Sequence, residues 1–396
     1  MRQKKNYAVL LFLLNPFIGA NYALFNLKKN KQLNSMLWLL FCFLYGYFYI
    51  APSDGDYYTY LSRFNLVSKL NFHEFSDYLS TQVDFLIYII LYLFSFIADS
   101  YDILWGLISL TFGFLILKTF ININSLINEK SKISPALIKT TLITLIFISS
   151  LYLVYNFRFW IGVVFIYLGL SYYLLGLRKK MYVCFIFASV THFGLIIFVL
   201  ILLAGILYKF NLKFLVALSL TSIVIGQLNT NEIIKYIPDF IMDTRGGYVS
   251  DENITNYQLY RNNVNWYVFG FEKLLYYSTL AFVILNLKSI NRIDNKRIMG
   301  LASILLLSYS FVNLIITLPL AERFRRVVLF IAMLYILCVS ITTKTKYNLV
   351  LNGICIFYII IETRKLMGSL NLGLILPTAV PSLFIEKTSV FSFIFG

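Results

Sequence analysis

Runs of apolar residues, each long enough to cross a hydrocarbon core of about 30 Å, recur from one end of the chain to the other and are parted by polar segments. Read as helices, they place spans at 7 to 25, 33 to 51, 83 to 98, 103 to 121, 137 to 155, 159 to 177, 181 to 208, 213 to 229, 269 to 287, 299 to 316, 326 to 342 and 347 to 362. The pattern predicts an all-α fold, a polytopic integral membrane bundle of about twelve transmembrane helices, with residues 1–396 forming a single transmembrane domain. The run from Met181 to Tyr208 exceeds one untilted span and is interrupted by Thr191 and His192, which fits either two half-helices or one steep helix. Two polar stretches, 52 to 82 and 230 to 268, exceed a tight turn, and their Tyr, Phe and Asp content suits ordered, extracytoplasmic, functional loops. The apolar tail from Thr363 either lies in the interface or folds back into the bundle.

Composition agrees: 59% of residues are hydrophobic and 13% charged, against about 25% charged in a soluble domain. The net charge of +16 does not imply nucleic acid, because the basic residues form short clusters between apolar runs, as the positive-inside rule expects. Clusters at Lys28, Lys29 and Lys31, at Arg178 to Lys180, at Lys209 and Lys213, at Lys288 to Arg297, and at Lys344 and Lys346 are then cytoplasmic. That assignment turns His192, the 230 to 268 loop and the connection from Thr317 to Arg326 outward. It needs one additional crossing between 66 and 121 if 52 to 82 and Arg158 are also outside. Cys42, Cys184, Cys338 and Cys355 lie in apolar runs without a CxxC, so neither a disulfide nor a zinc site is expected. Asn15 and Pro16 interrupt the first apolar run, which favours a retained helix over a cleaved signal peptide. No Walker A sequence, GxGxxG unit or HExxH appears.

Four groups of residues carry candidate chemistry. Asp54 and Asp56 sit directly after the second span, followed at helical spacing by Tyr57, Tyr60 and Phe64, with Arg63 between; carboxylates there either cap a helix or take a proton from a sugar hydroxyl, and the aromatic rings suit sugar stacking. Arg158 opens a strongly apolar span, where its guanidinium either snorkels to lipid headgroups or grips a phosphate. His192 is one of two histidines and lies in an apolar run, as a packing residue or as a general base. Arg323, Arg325 and Arg326 crowd a short connection with Glu322, which either reflects ordinary topology or neutralises a pyrophosphate, Glu322 then orienting Arg325 or Arg326 across one helical turn. Arg245, in the second long loop, joins the diphosphate-binding candidates.

Three short patterns, in order along most of the chain, carry a family resemblance: Gly-Asp-Tyr-x-x-Tyr in Gly55 to Tyr60, "FRFWIG" around Arg158, and "ASVTHFGLII" around His192. With them the chain resembles the EpsG-like branch of Wzy-type bacterial polysaccharide polymerases, departing from it where the family has Arg-Gln in place of Arg158-Phe159. The resemblance implies a bacterial inner-membrane enzyme with a C-type glycosyltransferase-like bundle and an active site facing the periplasm or the outside. Its substrate would be undecaprenyl-diphosphate-linked oligosaccharide, and a chain-length regulator is an implied partner. In that reading His192 or Asp56 is the base, Arg158, Arg323, Arg325, Arg326 and Arg245 bind diphosphate, and Asp54, Tyr57, Tyr60 and Arg63 bind sugar. Arginines stabilise a departing diphosphate electrostatically, so neither metal nor cofactor is expected. The competing readings are a lipid-linked oligosaccharide flippase or other transporter, and a C-type glycosyltransferase using a polyprenyl-phosphate sugar. Charges crowded at loop mouths rather than inside spans favour an enzyme over a transporter.

Overall fold

The computed structural model describes residues 7–51, 56–82, 84–127, 135–228, 266–287, 293, 295–318, 320–343, 348–376 and 387–395. Side-chain caps and imino acids decide where the apolar runs start and stop. The first run is cut by Asn15 and Pro16 into α1 (Ala8–Leu14) and α2 (Pro16–Phe25); proline at the first helical position forfeits no bond, and the Asn15 side chain accepts the Ile18 N–H at 2.9 Å. Asn30 caps α3 (Lys31–Tyr47) in the same way. The segment read as a loop over 52 to 82 holds two helices, α4 (Asp56–Val67) and α5 (Phe72–Ser80), the second opened by a reciprocal capping box of Asn71 and Glu74. α6 (Phe85–Ser95), α7 (Tyr101–Leu126) and α8 (Pro135–Ile148) follow, and a 3-10 turn (Leu151–Asn156) leads into α9 (Phe157–Leu175). α9 stops at Gly176, whose φ of 82° is a left-handed conformation that only glycine adopts at no steric cost.

The long run from Met181 is two helices, α10 (Arg178–Thr191) and α11 (Leu195–Leu207), parted at His192. Beyond them lie α12 (Leu212–Leu228), α13 (Trp266–Leu285), α14 (Lys296–Leu314), α15 (Leu320–Thr342), α16 (Asn348–Ser369) and α17 (Val390–Phe395). Among the described residues, four stretches are long and apolar enough to cross a membrane: Tyr101–Leu126, Ile138–Leu175, Lys296–Leu314 and Leu320–Thr342, the second running from within α8 through the 3-10 turn to the end of α9. α6, α11 and α12 are apolar but shorter. This is a helical membrane protein.

The chain divides into two compact units, one comprising 1–126, 149–196 and 362–396, the other 127–148 and 197–361. In the first, α3 and α7 approach closely because glycines stand where they cross. A Cβ on Gly46 would collide with the Trp105 carbonyl, and one on Gly113 with the Cys42 side chain. Trp38 donates its indole N–H to the Gly113 carbonyl at 2.9 Å, fixing the register. Gly46→Leu is expected to destabilise the protein by about 1–3 kcal/mol, because the obstacle is backbone and cannot step aside; a thermal melt in detergent measures it. The chain after α16 folds back on this unit: Leu372 N–H donates to the Thr388 carbonyl at 2.9 Å, Val390 N–H to the Leu370 carbonyl at 3.1 Å, and Lys387 reaches Asp102 at 2.7 Å.

In the second unit, polar side chains fasten α12, α13 and α14. Asn313 donates to the Ser219 carbonyl and the Ser222 hydroxyl, each at 3.2 Å, and accepts from the Tyr276 hydroxyl at 3.1 Å. α15 is buried without interruption from Phe324 to Ser340, and Phe324 stacks on Phe198 at 5.4 Å. A helix enclosed on all sides is apolar all round. Its two buried arginines are therefore the departure to explain.

Candidate functional site

In the first unit, three chain segments meet at Asp84. This residue stands just ahead of α6 but caps no N–H there; its carboxylate, 3% exposed, points away to other partners. One oxygen lies 3.1 Å from an Arg158 nitrogen in the first turn of α9, and the other accepts the backbone N–H of Phe193 at 2.6 Å. That second bond explains the break between α10 and α11. The Phe193 N–H leaves the helical ladder for a side chain of another element, and His192 adopts extended backbone angles of −148° and 111°. His192 is buried, and its Nδ1 accepts the Gly194 N–H at 3.1 Å while its ring meets Phe159 edge-on at 5.3 Å. The Arg158 guanidinium and the Phe193 N–H that follows His192 are thus held to one carboxylate.

Tyr60 adjoins this group. It is 1% exposed, its ring packs on Phe157 at 4.2 Å, and the Arg63 guanidinium covers it at 5.8 Å while also covering Tyr88 at 5.6 Å. Burial pushes the Tyr60 phenol well above its ordinary range, against the opposing pull of Arg158 and Arg63, so it stays protonated at neutral pH. Tyr57 stacks on Trp105 at 4.8 Å, and burial raises its phenol as well. The rings of both tyrosines are thus packed against protein in this conformation. Asp56 is the first residue of α4 and is half-buried. Also in this unit, Glu362 is fully buried and accepts from the Tyr152 hydroxyl at 2.8 Å and from Lys365 at 2.7 Å.

In the second unit, the first turns of α15 carry Glu322, Arg323, Arg325 and Arg326 inside the helix, not on a loop. The carboxylate that the structure brings to the two buried arginines is Glu272 of α13, 3.6 Å from Arg325 and 3.7 Å from Arg326. Arg325 is 1% exposed, and none of its three guanidinium nitrogens makes a hydrogen bond among the described residues. Two buried guanidinium groups thus stand at 3.6 and 3.7 Å from one buried carboxylate, distances too long for good hydrogen bonds. Such a cluster favours an anionic ligand with several oxygens.

Compared with known families, curated proteins and solved structures, the chain matches none. The site therefore rests on its own geometry. Of the residues singled out in the sequence, Arg158 and His192 come together in the first unit, with Tyr60 and Arg63 beside Arg158. Arg325 and Arg326 come together in the second, and Asp54 and Arg245 lie outside the described residues. Asp84 and Glu272, which organise the two groups, were not among the candidates. The signal for them was available: both lie within predicted spans, and an ionisable residue inside a span marks function by default. The contrast between an enzyme with charges at loop mouths and a transporter with charges inside spans does not survive, since Glu272, Arg325 and Arg326 are buried within helices.

Proposed function

We propose that this protein is a polysaccharide repeat-unit polymerase of the bacterial inner membrane. On this reading it has about twelve spans, with the chemistry on the outer face. The acceptor sugar's hydroxyl oxygen attacks the anomeric carbon of a glycan carried on undecaprenyl diphosphate. A C–O glycosidic bond forms, the bond from that carbon to the phosphate oxygen breaks, the diphosphate leaves with the electron pair, and the hydroxyl proton passes to a base. The observation that supports the reading is the buried Arg325, which stands with Arg326 beside Glu272 and whose guanidinium makes no hydrogen bond among the described residues; a leaving diphosphate would accept from it. Arg158, Arg323 and Arg245 are further candidates for phosphate binding, and Asp56 and His192 for handling the proton.

The test is the surface-glycan banding pattern after deletion of the gene, with wild-type and Arg325→Met copies returned separately. Collapse of the ladder to a single repeat, rescued by wild type and not by Arg325→Met, supports polymerase activity. Loss of even the single repeat points to a flippase or an earlier transferase. A normal ladder from the deletion strain would sink the reading.

A further inference from the structure

The direction of each helix fixes the end of the bundle at which its connections lie. α7 is long and apolar enough to span, and α3 runs antiparallel beside it: Gly46 stands against Trp105, Cys42 against Gly113, and Phe25, ahead of α3, meets Phe120 at 6.1 Å. The chain therefore leaves α3 and enters α7 at the same end of the first unit, so the helices between them make an even number of crossings. α4, α5 and α6 have 12, 9 and 11 residues, each short of the about 20 that a span needs. Their contacts hold them to that one end. Tyr57 stacks on Trp105 at 4.8 Å, and Asn65 donates to the Tyr101 hydroxyl at 2.6 Å, so both halves of α4 lie at the start of α7. Asp84, just ahead of α6, meets Arg158, whose neighbour Phe157 also lies against Trp105 at 5.9 Å. The even number is zero.

Charge tells which end this is. α9 runs parallel to α7, since Phe157 lies against Trp105 and Asn122 donates to the Ser171 hydroxyl at 2.9 Å. The far end thus carries Lys28, Lys29 and Lys31 ahead of α3, and Arg178, Lys179 and Lys180 after α9. Residues 56–100, at the near end, hold five acidic side chains and only two basic ones, Arg63 and Lys69. The positive-inside rule turns the near end outward.

The surface of α5 and α6 tells what they touch. The two helices pack as an antiparallel hairpin, Phe75 stacking on Tyr92 at 4.0 Å and Tyr78 meeting Tyr88 edge-on at 5.4 Å. At its open end Phe72, Leu93, Phe96 and Ile97 are all exposed, Phe72 by 78% and Phe96 by 70%. His73, Glu74 and Asp77 of α5 are exposed as well. A short amphipathic helix that carries bare aromatic and aliphatic side chains beside charged ones suits the headgroup region of a bilayer. α6 also packs on α10, whose Val183, Ile186 and Phe187 are exposed, so the hairpin adjoins an apolar flank of the bundle. We infer that α4, α5 and α6 form an excursion wholly on the outer face, in which the α5–α6 hairpin seats Phe72, Phe96 and Ile97 in the outer leaflet and α6 does not cross. The sequence pattern counts 83 to 98 as a span and then needs one additional crossing; with that span withdrawn, the topology closes without it. The partner is lipid, and the inference holds whatever reaction the protein performs.

Two measurements test the side and the partner. The four native cysteines are buried, so the unsubstituted protein is the blank. Ser80 and Asp99 are exposed and flank α6, and Lys179 is exposed at the far end. In spheroplasts treated with a membrane-impermeant maleimide, the full-length Ser80→Cys and Asp99→Cys variants are both expected to react, and Lys179→Cys only after detergent opens the membrane. If either of the first two reacts only after detergent, or Lys179→Cys reacts before it, the inference fails. For the partner, a nitroxide is attached to Phe72→Cys, Phe96→Cys and Asp77→Cys in vesicles of phosphatidylethanolamine and phosphatidylglycerol. The labels at positions 72 and 96 are expected to collide with dissolved oxygen more than with a water-soluble nickel chelate, and the label at 77 the reverse. Labels at 72 and 96 shielded from both reagents mean a protein partner, such as a second copy of the chain, and labels open to nickel mean water; each result overturns lipid docking.

Discussion

Glu272→Ala is expected to lower the stability of the protein by about 3–5 kcal/mol, whereas Arg325→Met leaves it unchanged or raises it by about 1–4 kcal/mol. The asymmetry follows from the charges of three buried side chains. Wild type has two guanidinium groups on one carboxylate, at 3.6 and 3.7 Å, distances that supply Coulomb attraction but not good hydrogen bonds. Removing the carboxylate leaves two like charges facing each other in a low-dielectric interior. Removing Arg325 leaves Glu272 with Arg326 and replaces three nitrogens that make no hydrogen bond among the described residues by a thioether of similar reach. Thermal unfolding in detergent, followed by helical circular dichroism, gives both signs. Equal destabilisation by the two variants would mean that Arg325 is already satisfied within the fold. A stable Arg325→Met protein that makes no long glycan would instead show a charge kept at the expense of the fold.

The helical membrane fold was legible because periodicity is not needed to find it: an apolar run either spans or does not. The breaks within runs were legible in place, at Asn15 and Pro16 and at Thr191 and His192, but the physical cause of the second was not. Asn15 and Pro16 announce their break by residue type, and the structure puts it there. The break at His192 has a remote cause, the Asp84 carboxylate 109 positions away bonded to the Phe193 N–H, and no local pattern encodes a partner so far off. Residues 52 to 82 were read as a long ordered loop with a helix capped by Asp54 or Asp56 as one alternative, and α4 does begin at Asp56; α5, short and amphipathic, is passed over by a search for continuous apolar runs, although the Asn71 and Glu74 capping pair was in plain view. For the site, cations were noticed because they cluster in sequence at Arg323 to Arg326. Glu272 stands alone in an apolar helix, and its role appears only when α13 meets α15.

Asp84→Ala is expected to cost about 2–4 kcal/mol, less than the loss at Glu272 because Arg158 retains 13% side-chain exposure and some access to water. The substitution removes both the counter-charge of Arg158 at 3.1 Å and the acceptor of the Phe193 N–H at 2.6 Å. Asp84→Asn separates them, since its amide oxygen still accepts the N–H but carries no charge. If the ion pair dominates, asparagine behaves like alanine; if the helix break dominates, asparagine recovers most of the stability. A double-mutant cycle with Arg158→Ala isolates the pair, and residues in direct contact show coupling of about 0.5–3 kcal/mol. Coupling near zero would mean that Arg158 is held by other partners and that Asp84 acts on the His192 turn alone. Coupling in that range makes Asp84 the physical link between a cation at the start of α9 and an imidazole at the end of α10, so that Asp84→Asn disturbs both at once while the helices that carry them stay folded.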